Sequence, residues 1–398
     1  MGFFIFSAME RNYILFDTPV REDLYPFTHT RPAAACRIGI LTIQEKWERW
    51  LGAAVSHFTI PYLQAKYPLR LQKDQVNVLV AGNICPDAGL VAAIQALGPD
   101  EELYRNDQLL AKAISEPTIS LLPSANRKNY TGEVLGIYKP WDIFALNDKA
   151  IRADFRLLTE GRVSAPISST NQLINPADIF LEPGASVECS VLNASSGPVY
   201  IGKDALVMEG CLIRGALALG EKAVLKMGAK VYGATTLGPH CVGGGEIKNT
   251  VMFGYSNKAH DGYLGDAVLG EWCNLGANTT CSNLKNNVSP VKIYMEGQGE
   301  WAVAGTKCGV LMGDYSRCGI NTMLNTGTVV GVSCNIFGAH LPPKFLPSFS
   351  WGDHQQSYRL TEALRDAGNW KQLKGQPLQR EEAEILEAVY EQTKEKRP

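Results

Sequence analysis

From Ile201 to Leu237 an aliphatic residue recurs at every sixth position: Ile201, Val207, Ile213, Leu219, Leu225, Val231 and Leu237. An α-helix cannot use a period of six, because successive apolar residues would wander around its surface, and an amphipathic strand needs a period of two. A chain that turns a corner every six residues, with one aliphatic pointing inward on each side, satisfies the pattern. Three sides make a coil of about eighteen residues, and stacked coils bury a continuous apolar column. Small residues four positions after the aliphatic (Ala205, Cys211, Ala223, Ala229, Cys241) suit a narrow interior. The period resumes at Met312, Cys318, Leu324, Val330 and Ile336. The spacing predicts a left-handed parallel β-helix of hexapeptide repeats over residues 174–342.

The remainder of the chain reads differently. Residues 284–307 break the period and are expected to form a loop thrown out from one coil; a loop this long in a compact domain is usually functional. PPKFLPSF, residues 342–349, is expected to end the ladder, because proline cannot donate to it. REEAEILEAVYEQTKEK, residues 380–396, has apolar residues at helical spacing and predicts a short helical cap within a C-terminal extension, 343–398. In the first 165 residues, NYILFD and VNVLVAGN have the composition of buried strands, whereas IQEKWERWLGAA and PDAGLVAAIQAL are helical by period. Strands alternating with helices predict an α/β domain over residues 1–165.

Composition narrows the partners. Of 398 residues 45% are apolar and 20% charged, and the formal net charge is −2, so neither nucleic acid nor an anionic membrane is expected as the main partner. The opening MGFFIFSA lacks the charged start and cleavage site of a secretory signal, and translation could begin at Met1 or Met9. No apolar run approaches the ~18 residues of a membrane span. Ten cysteines without a CxxC pair read as reduced, buried residues of a cytoplasmic protein. The six histidines have no zinc-ligand spacing, and no metal site is expected from them.

One segment concentrates polar groups: KAHDGYLGDAVLGEWCNLGANTTCSN, Lys258 to Asn283, with His260, Tyr263, Asn274, Asn278 and Asn283 within little more than one coil. On residue types alone these are either turn polars satisfying the backbone or a convergent site. The segment resembles the acetyltransferase domain of the bifunctional N-acetylglucosamine-1-phosphate uridylyltransferase/glucosamine-1-phosphate acetyltransferases. That family's motif reads KAGHLTYLGDAEIG followed by NIGAGTITCNYDG, against KAHDGYLGDAVLG and NLGANTTCSNLKN here. The resemblance is close over about thirty residues and loose over the whole β-helix.

The resemblance implies an acyl-CoA-dependent transferase, with acetyl-CoA or another acyl-CoA as donor. His260 corresponds to the general base that takes a proton from the acceptor amine, a task suited to a neutral imidazole. Asn274, or a backbone N–H, would steady the developing oxyanion. Tyr263 and Asn274 match sugar-contacting residues, and Asn283 lies in the same segment as a candidate for binding substrate. Lys248, in GEIKN, matches a sugar-phosphate-binding lysine of VEMKK. Lys226 stands where the family has an arginine, keeping the charge but losing the bidentate fork. On residue type alone, both lysines are equally well read as solvated corner residues. Helices of this kind usually assemble as homotrimers with the site between neighbours, and the 284–307 loop is long enough to reach across such an interface.

REDLYPFTHTRPAAACRIG, Arg21 to Gly39, resembles the L-x-P-L-T-x-x-R-P-K-P-A segment of sugar nucleotidyltransferases. There a glycine-rich loop precedes the segment and cradles the nucleotide phosphates. Here that stretch is FDTPVRED, without glycine, and Gly82–Asn83 stands where the family has Gly-Asp with a Mg²⁺-binding aspartate. Arg21, Arg31 and Lys46 are candidates for binding a nucleotide phosphate, and Asp23 and Asp87 could supply carboxylates. Mg²⁺ is expected only if this domain is active.

Three function classes follow. The first is acyl-CoA-dependent N-acyl transfer to an amino-sugar phosphate or a nucleotide sugar. The second is sugar-1-phosphate nucleotidyl transfer, alone or alongside the first. The third is a non-catalytic assembly protein that keeps both folds.

Overall fold

The computed structural model describes residues 10–115, 118–119, 121, 126–352 and 356–397; both candidate start residues, Met1 and Met9, lie outside them. Two compact units are present. The first comprises residues up to 21, 31–35 and 42–137; the second comprises 22–30, 36–41 and everything from 138 onward.

The first unit is built on a six-stranded mixed sheet: β1 (Arg11–Phe16), β2 (Ser56–Phe58), β3 (Val76–Ala81), β4 (Glu102–Arg105), β5 (Gln108–Ile114) and β6 (Arg127–Asn129), in the order β2-β1-β3-β5-β4-β6. β1 runs parallel to β2 and β3, while β5 is antiparallel to both β3 and β4. The apolar runs expected to be strands are β1 and β3, and every residue of β3 is buried. Helix Ile43–Leu51 starts with a capping box, Thr42 and Glu45 satisfying each other's backbone N–H, and ends on Gly52 at φ 63°. Its Trp47 is fully buried and donates its indole N–H to the Ile84 carbonyl at 2.9 Å.

The second unit is the parallel β-helix, a three-sided solenoid of left-handed type. On one side nine short parallel strands stack from Ile179–Leu181 to Phe345–Leu346; on the next, nine stack from Ser186–Val187 to Ser350–Trp351. The third side runs from Gln172–Ile174 through Lys230–Tyr232 and Glu246–Lys248 to Tyr263–Gly265. All seven aliphatics of the hexapeptide series lie in one buried column, none more than 2% exposed. Buried apolar surface is worth roughly 25 cal/mol per Å², and this column is the largest such store in the unit.

Three details differ from the expectation. The ladder continues past the prolines: Phe345–Leu346 pairs with Val329–Val330, and Ser350–Trp351 follows. Pro342, Pro343 and Pro347 flank the paired positions rather than occupy them, so no ladder donor is lost. The cap has two helices, Leu360–Leu373 and Arg380–Gln392, of which only the second was predicted. The 284–307 excursion is an antiparallel hairpin, Val291–Met295 with Glu300–Gly305. Just past its first strand Glu296 is buried against its own unit, 3.0 Å from His29 Nε2 and 3.4 Å from Lys396 Nζ.

Helix Asn147–Thr159 also belongs to this unit. It packs Ile151 and Leu158 against Phe180, Tyr200, Ala216 and Ala218 of the solenoid, and Asn147 donates to the Ala234 carbonyl at 2.8 Å. Among the described residues no helix is long and apolar enough to cross a membrane.

Candidate functional site

The period slips between Leu237 and Leu264, which are not separated by a multiple of six. The solenoid absorbs this slip at two corners. Four residues, Lys226–Ala229, link the strands Val224–Leu225 and Lys230–Tyr232; one coil later only Gly244 and Gly245 make the same turn. The following coil restores four residues, Ala259 to Gly262, and His260 lies on that corner, exposed to solvent. At this corner, therefore, no side chain projects from the coil between Lys226 and His260. At the adjoining corner, Gly233–Ala234 is replaced by Asn249 alone and then by Asp266 alone, at φ 45° and 46°. Asparagine and aspartate tolerate this left-handed region better than other side chains.

The His260 turn is held from inside. Lys258 occupies an inward slot of the apolar column, stacked on Gly243, and is 1% exposed. Its Nζ donates to the carbonyls of Gly244 at 3.1 Å, Asp261 at 3.3 Å, and His260. Burial pulls its pKa down to about 8, partly opposed by the Asp261 carboxylate.

A second network builds the neighbouring face. Asp266 is buried and accepts from Asn249 Nδ2 at 2.8 Å and from Asn283 Nδ2. Asn283 also donates to the Tyr263 phenol at 3.0 Å. Burial first, then the Asp266 charge, pushes the Tyr263 hydroxyl well above the ordinary phenol range. Tyr263 is therefore a neutral donor near neutral pH. Tyr232 donates to Glu246 at 2.5 Å, and that bond together with burial pushes its phenol up to about 12. Tyr263 and Asn283 line a cleft of about 680 Å³ at the root of the hairpin, together with Lys285, Met323, Asn325 and Leu341. Lys285 spends its ammonium on the Pro290 carbonyl, at 2.6 Å.

The remaining sequence candidates are distributed around these two networks. Lys248 is half-buried on the Tyr263 face, in register with Tyr232 and Gly265. Lys226 is half-buried at the His260 corner, two coils earlier. Asn274 lies on the other face that meets this corner. It accepts from Asn257 Nδ2 at 3.3 Å, beside Arg317, where Lys374 and Trp370 of the C-terminal segment dock. Tyr263 and Asn283 are thus brought into contact, while Asn274 is separated from them by the width of a corner. Lys258, Asp266 and Asn249 were not singled out from sequence. The signals for them were a lysine in an aliphatic slot and the three-residue phase slip.

In the first unit the three phosphate candidates, Arg21, Arg31 and Lys46, are all buried. Arg21 pairs with Asp17 at 3.4 Å and donates to Tyr62 at 3.0 Å. Asp17, at the end of β1, also accepts from the Ala33 N–H at 2.8 Å and from Thr59 at 2.5 Å. Burial pushes its carboxyl upward against these hydrogen bonds and against Arg21. Asn83, at the end of β3, accepts from Thr18 at 3.3 Å and donates to the Ile137 carbonyl at 3.2 Å. A hard cation favours anionic oxygens. Asn83 offers only a neutral amide oxygen and the Asp17 charge is paired with Arg21, so the two fit Mg²⁺ poorly. Asp87 caps helix Ala88–Gln95, and Asp23, in the second unit, pairs with Lys139. Among the described residues no group of three His, Cys, Asp or Glu side chains could hold a metal ion.

Comparison with known proteins matches residues 13–163 to the sugar nucleotidyl transferase family. The chain is similar to the bifunctional protein GlmU of Methanocaldococcus jannaschii, 35% identical over 22% of this chain and 21% of that protein. It is similar to a bifunctional sugar-1-phosphate nucleotidylyltransferase/acetyltransferase of Sulfurisphaera tokodaii, 28% identical over 52% of this chain and 46% of that protein. It is also similar to the bifunctional protein GlmU of Pelobacter propionicus, 25% identical over 65% and 58%. The chain thus spans about a fifth of the length of the first of these relatives and less than two thirds of each of the others.

Proposed function

We propose that the β-helix transfers an acyl group from an acyl-coenzyme A to the amine of an amino-sugar phosphate or nucleotide sugar, with His260 as general base. The observation that carries this reading is the His260 corner, exposed yet tied from within by Lys258 and flanked by the Tyr263–Asn283–Asp266 network. The amine loses its proton to the imidazole as its nitrogen attacks the thioester carbonyl. The C–S bond then breaks and coenzyme A leaves as the thiol, taking up the proton from His260. Tyr263 and Asn283 orient the sugar, Lys248 and Lys226 supply positive charge for its phosphate, and Asn274 or a backbone N–H stabilises the oxyanion. The name of the Sulfurisphaera tokodaii relative, which includes acetyltransferase, supports this reading.

We place the active form in the cytoplasm as a homotrimer. The lateral separation of Asn274 from Tyr263 supports a site completed by a neighbouring copy, and the free, mostly buried cysteines accord with a reducing compartment. Release of thiol from acetyl-CoA with glucosamine 1-phosphate or a nucleotide amino sugar tests the activity. Silence across a panel of amino sugars, with the trimer intact, would leave the protein as an assembly module.

A second reading is favoured by the family match over residues 13–163: sugar-1-phosphate nucleotidyl transfer in the first unit. Arg21, Arg31 and Lys46 would then hold the nucleotide phosphates once the Asp17 pair opens, and Mg²⁺ carried by the nucleotide would neutralise phosphate charge. Pyrophosphate release from a nucleoside triphosphate and a sugar 1-phosphate tests it.

A further inference from the structure

On the third side of the solenoid the outward residues of successive coils stack in register. Leu212 lies against Lys230, then Glu246, then Tyr263; Arg214 lies against Tyr232, then Lys248, then Gly265. The face that ends at Tyr263 is therefore preceded by Lys248 one coil away, Lys230 two coils away and Arg214 three coils away. Coils stack at about 4.8 Å, so the axial rise from the Tyr263 coil to the Arg214 coil is about 14 Å.

Three cations stand on this line against one carboxylate. Glu246 is turned toward Tyr232, whose phenol donates to it at 2.5 Å. Arg214 and Lys230 are exposed. Beyond Lys248 the face is hollowed into an open groove of about 400 Å³, lined by Val191, Leu212, Arg214, Lys230 and Tyr232 among others. Leu212 is 53% exposed there, so the floor is apolar and the rim cationic. An apolar strip bordered by an arginine, a lysine and an aromatic edge suits a flat ring carried on phosphates.

We propose that the acceptor for acyl transfer is a nucleoside-diphosphate amino sugar rather than a sugar monophosphate. Its sugar sits at Tyr263, its two phosphates at Lys248 and Lys230, and its nucleoside lies in the groove beside Arg214. The proposal rests on the acyl-transfer reading for the sugar end of the site. The charge balance agrees: Arg214, Lys230 and Lys248 against Glu246 leave a surplus of two positive charges for a diphosphate. A monophosphate would use Lys248 and leave Arg214 and Lys230 with no ligand to meet.

The test uses the full chain with acetyl-CoA and two acceptors, uridine-diphosphate glucosamine and glucosamine 1-phosphate, following thiol release. The expected result is a kcat/KM about ten-fold or more higher for the nucleotide sugar. Arg214→Ala and Lys230→Ala should each lower that value about ten-fold through KM, the size expected for one charge-assisted contact. Neither should change turnover of glucosamine 1-phosphate or the KM for acetyl-CoA. Equal use of both acceptors, with no effect of either substitution, overturns the proposal. So does a raised KM for acetyl-CoA, which would assign the groove to the coenzyme, or a change of oligomeric state, which would assign it to a second copy. If neither acceptor is acylated the acyl-transfer reading fails. The groove is then judged by calorimetric binding of uridine diphosphate and thymidine diphosphate. Affinity lost in the Arg214→Ala/Lys230→Ala double variant upholds a nucleotide groove, and unchanged affinity removes it.

Discussion

The ammonium of Lys258, buried in the apolar column of the solenoid, donates to the backbone carbonyl of His260. A charge in that slot is costly for stability, and its three carbonyl partners all belong to corner residues, Gly244, His260 and Asp261. The arrangement fixes the turn that carries His260 at the expense of the core. Lys258→Met should leave the fold as stable as the wild type or more so at pH 7, while acyl transfer falls about ten-fold or more as the turn loosens. The sign with pH follows from the lowered pKa. Between about 8 in the folded protein and 10.5 in the unfolded chain, the unfolded state holds more protons, so wild-type stability gains on the variant as pH rises through that window. Thermal melts at pH 7 and pH 10 with parallel thiol-release assays measure both effects. A melting point lowered at pH 7 with activity unchanged would contradict this role.

His260→Ala removes an exposed side chain, so stability should change by no more than about 0.5 kcal/mol. The loss of a general base should lower kcat by roughly 10²–10⁴-fold with little change in KM. Light scattering should show the same oligomer. A variant that keeps most of its turnover would move the base elsewhere.

The Tyr263–Asn283–Asp266–Asn249 chain predicts a graded response. Tyr263→Phe deletes one half-buried hydroxyl and should cost at most about 1 kcal/mol of stability, with its main effect on the acceptor. Asp266→Asn sets an amide against two amide donors in a buried corner and should cost about 1–3 kcal/mol. Urea unfolding separates the two. Equal losses would mean that the corner repacks around Asp266.

Glu296 should govern acid stability of the hairpin. Burial pushes its carboxyl upward, but His29 and Lys396 pull it further down, so its folded pKa lies below 4.5. Its contribution is present above the unfolded value and is lost as pH falls through the folded one. Glu296→Gln should therefore destabilise the protein by about 3 kcal/mol at neutral pH and flatten the acid limb of its stability curve. Denaturant melts between pH 3 and pH 7 check this. An acid limb as steep in the variant as in the wild type would exclude the cluster.

The solenoid was legible because its period is a steric necessity: the seven aliphatics from Ile201 to Leu237 each fill one inward slot of the buried column. The site was legible only in part. His260, Tyr263 and Asn283 stand in the segment that the polar residues mark out. Lys258 was hidden because lysine ordinarily faces water, and the meaning of its inward register appears only when Gly243 is seen beneath it. Asn274 stands in the same segment, and the corners between it and Tyr263 place the two on different sides of the coil. Arg21, Arg31 and Lys46 stand in sequence as phosphate candidates, and only tertiary packing reveals that all three cations are enclosed.

The pinched corner at Gly244 and Gly245 has a consequence for which changes this surface can accept. A methyl group on Gly244 would lie 2.4 Å from the Ala259 carbonyl oxygen, and one on Gly245, at φ 67°, would lie 2.8 Å from that of His260. In a saturation library, these two featureless positions should be among the least permissive of the solenoid, stricter than many of the polar side chains around them. Lineages that drift in substrate would then be expected to alter Lys226, Lys230 or Arg214 freely while keeping the paired glycines, so that the most faithfully inherited part of the site is the part with no side chain at all.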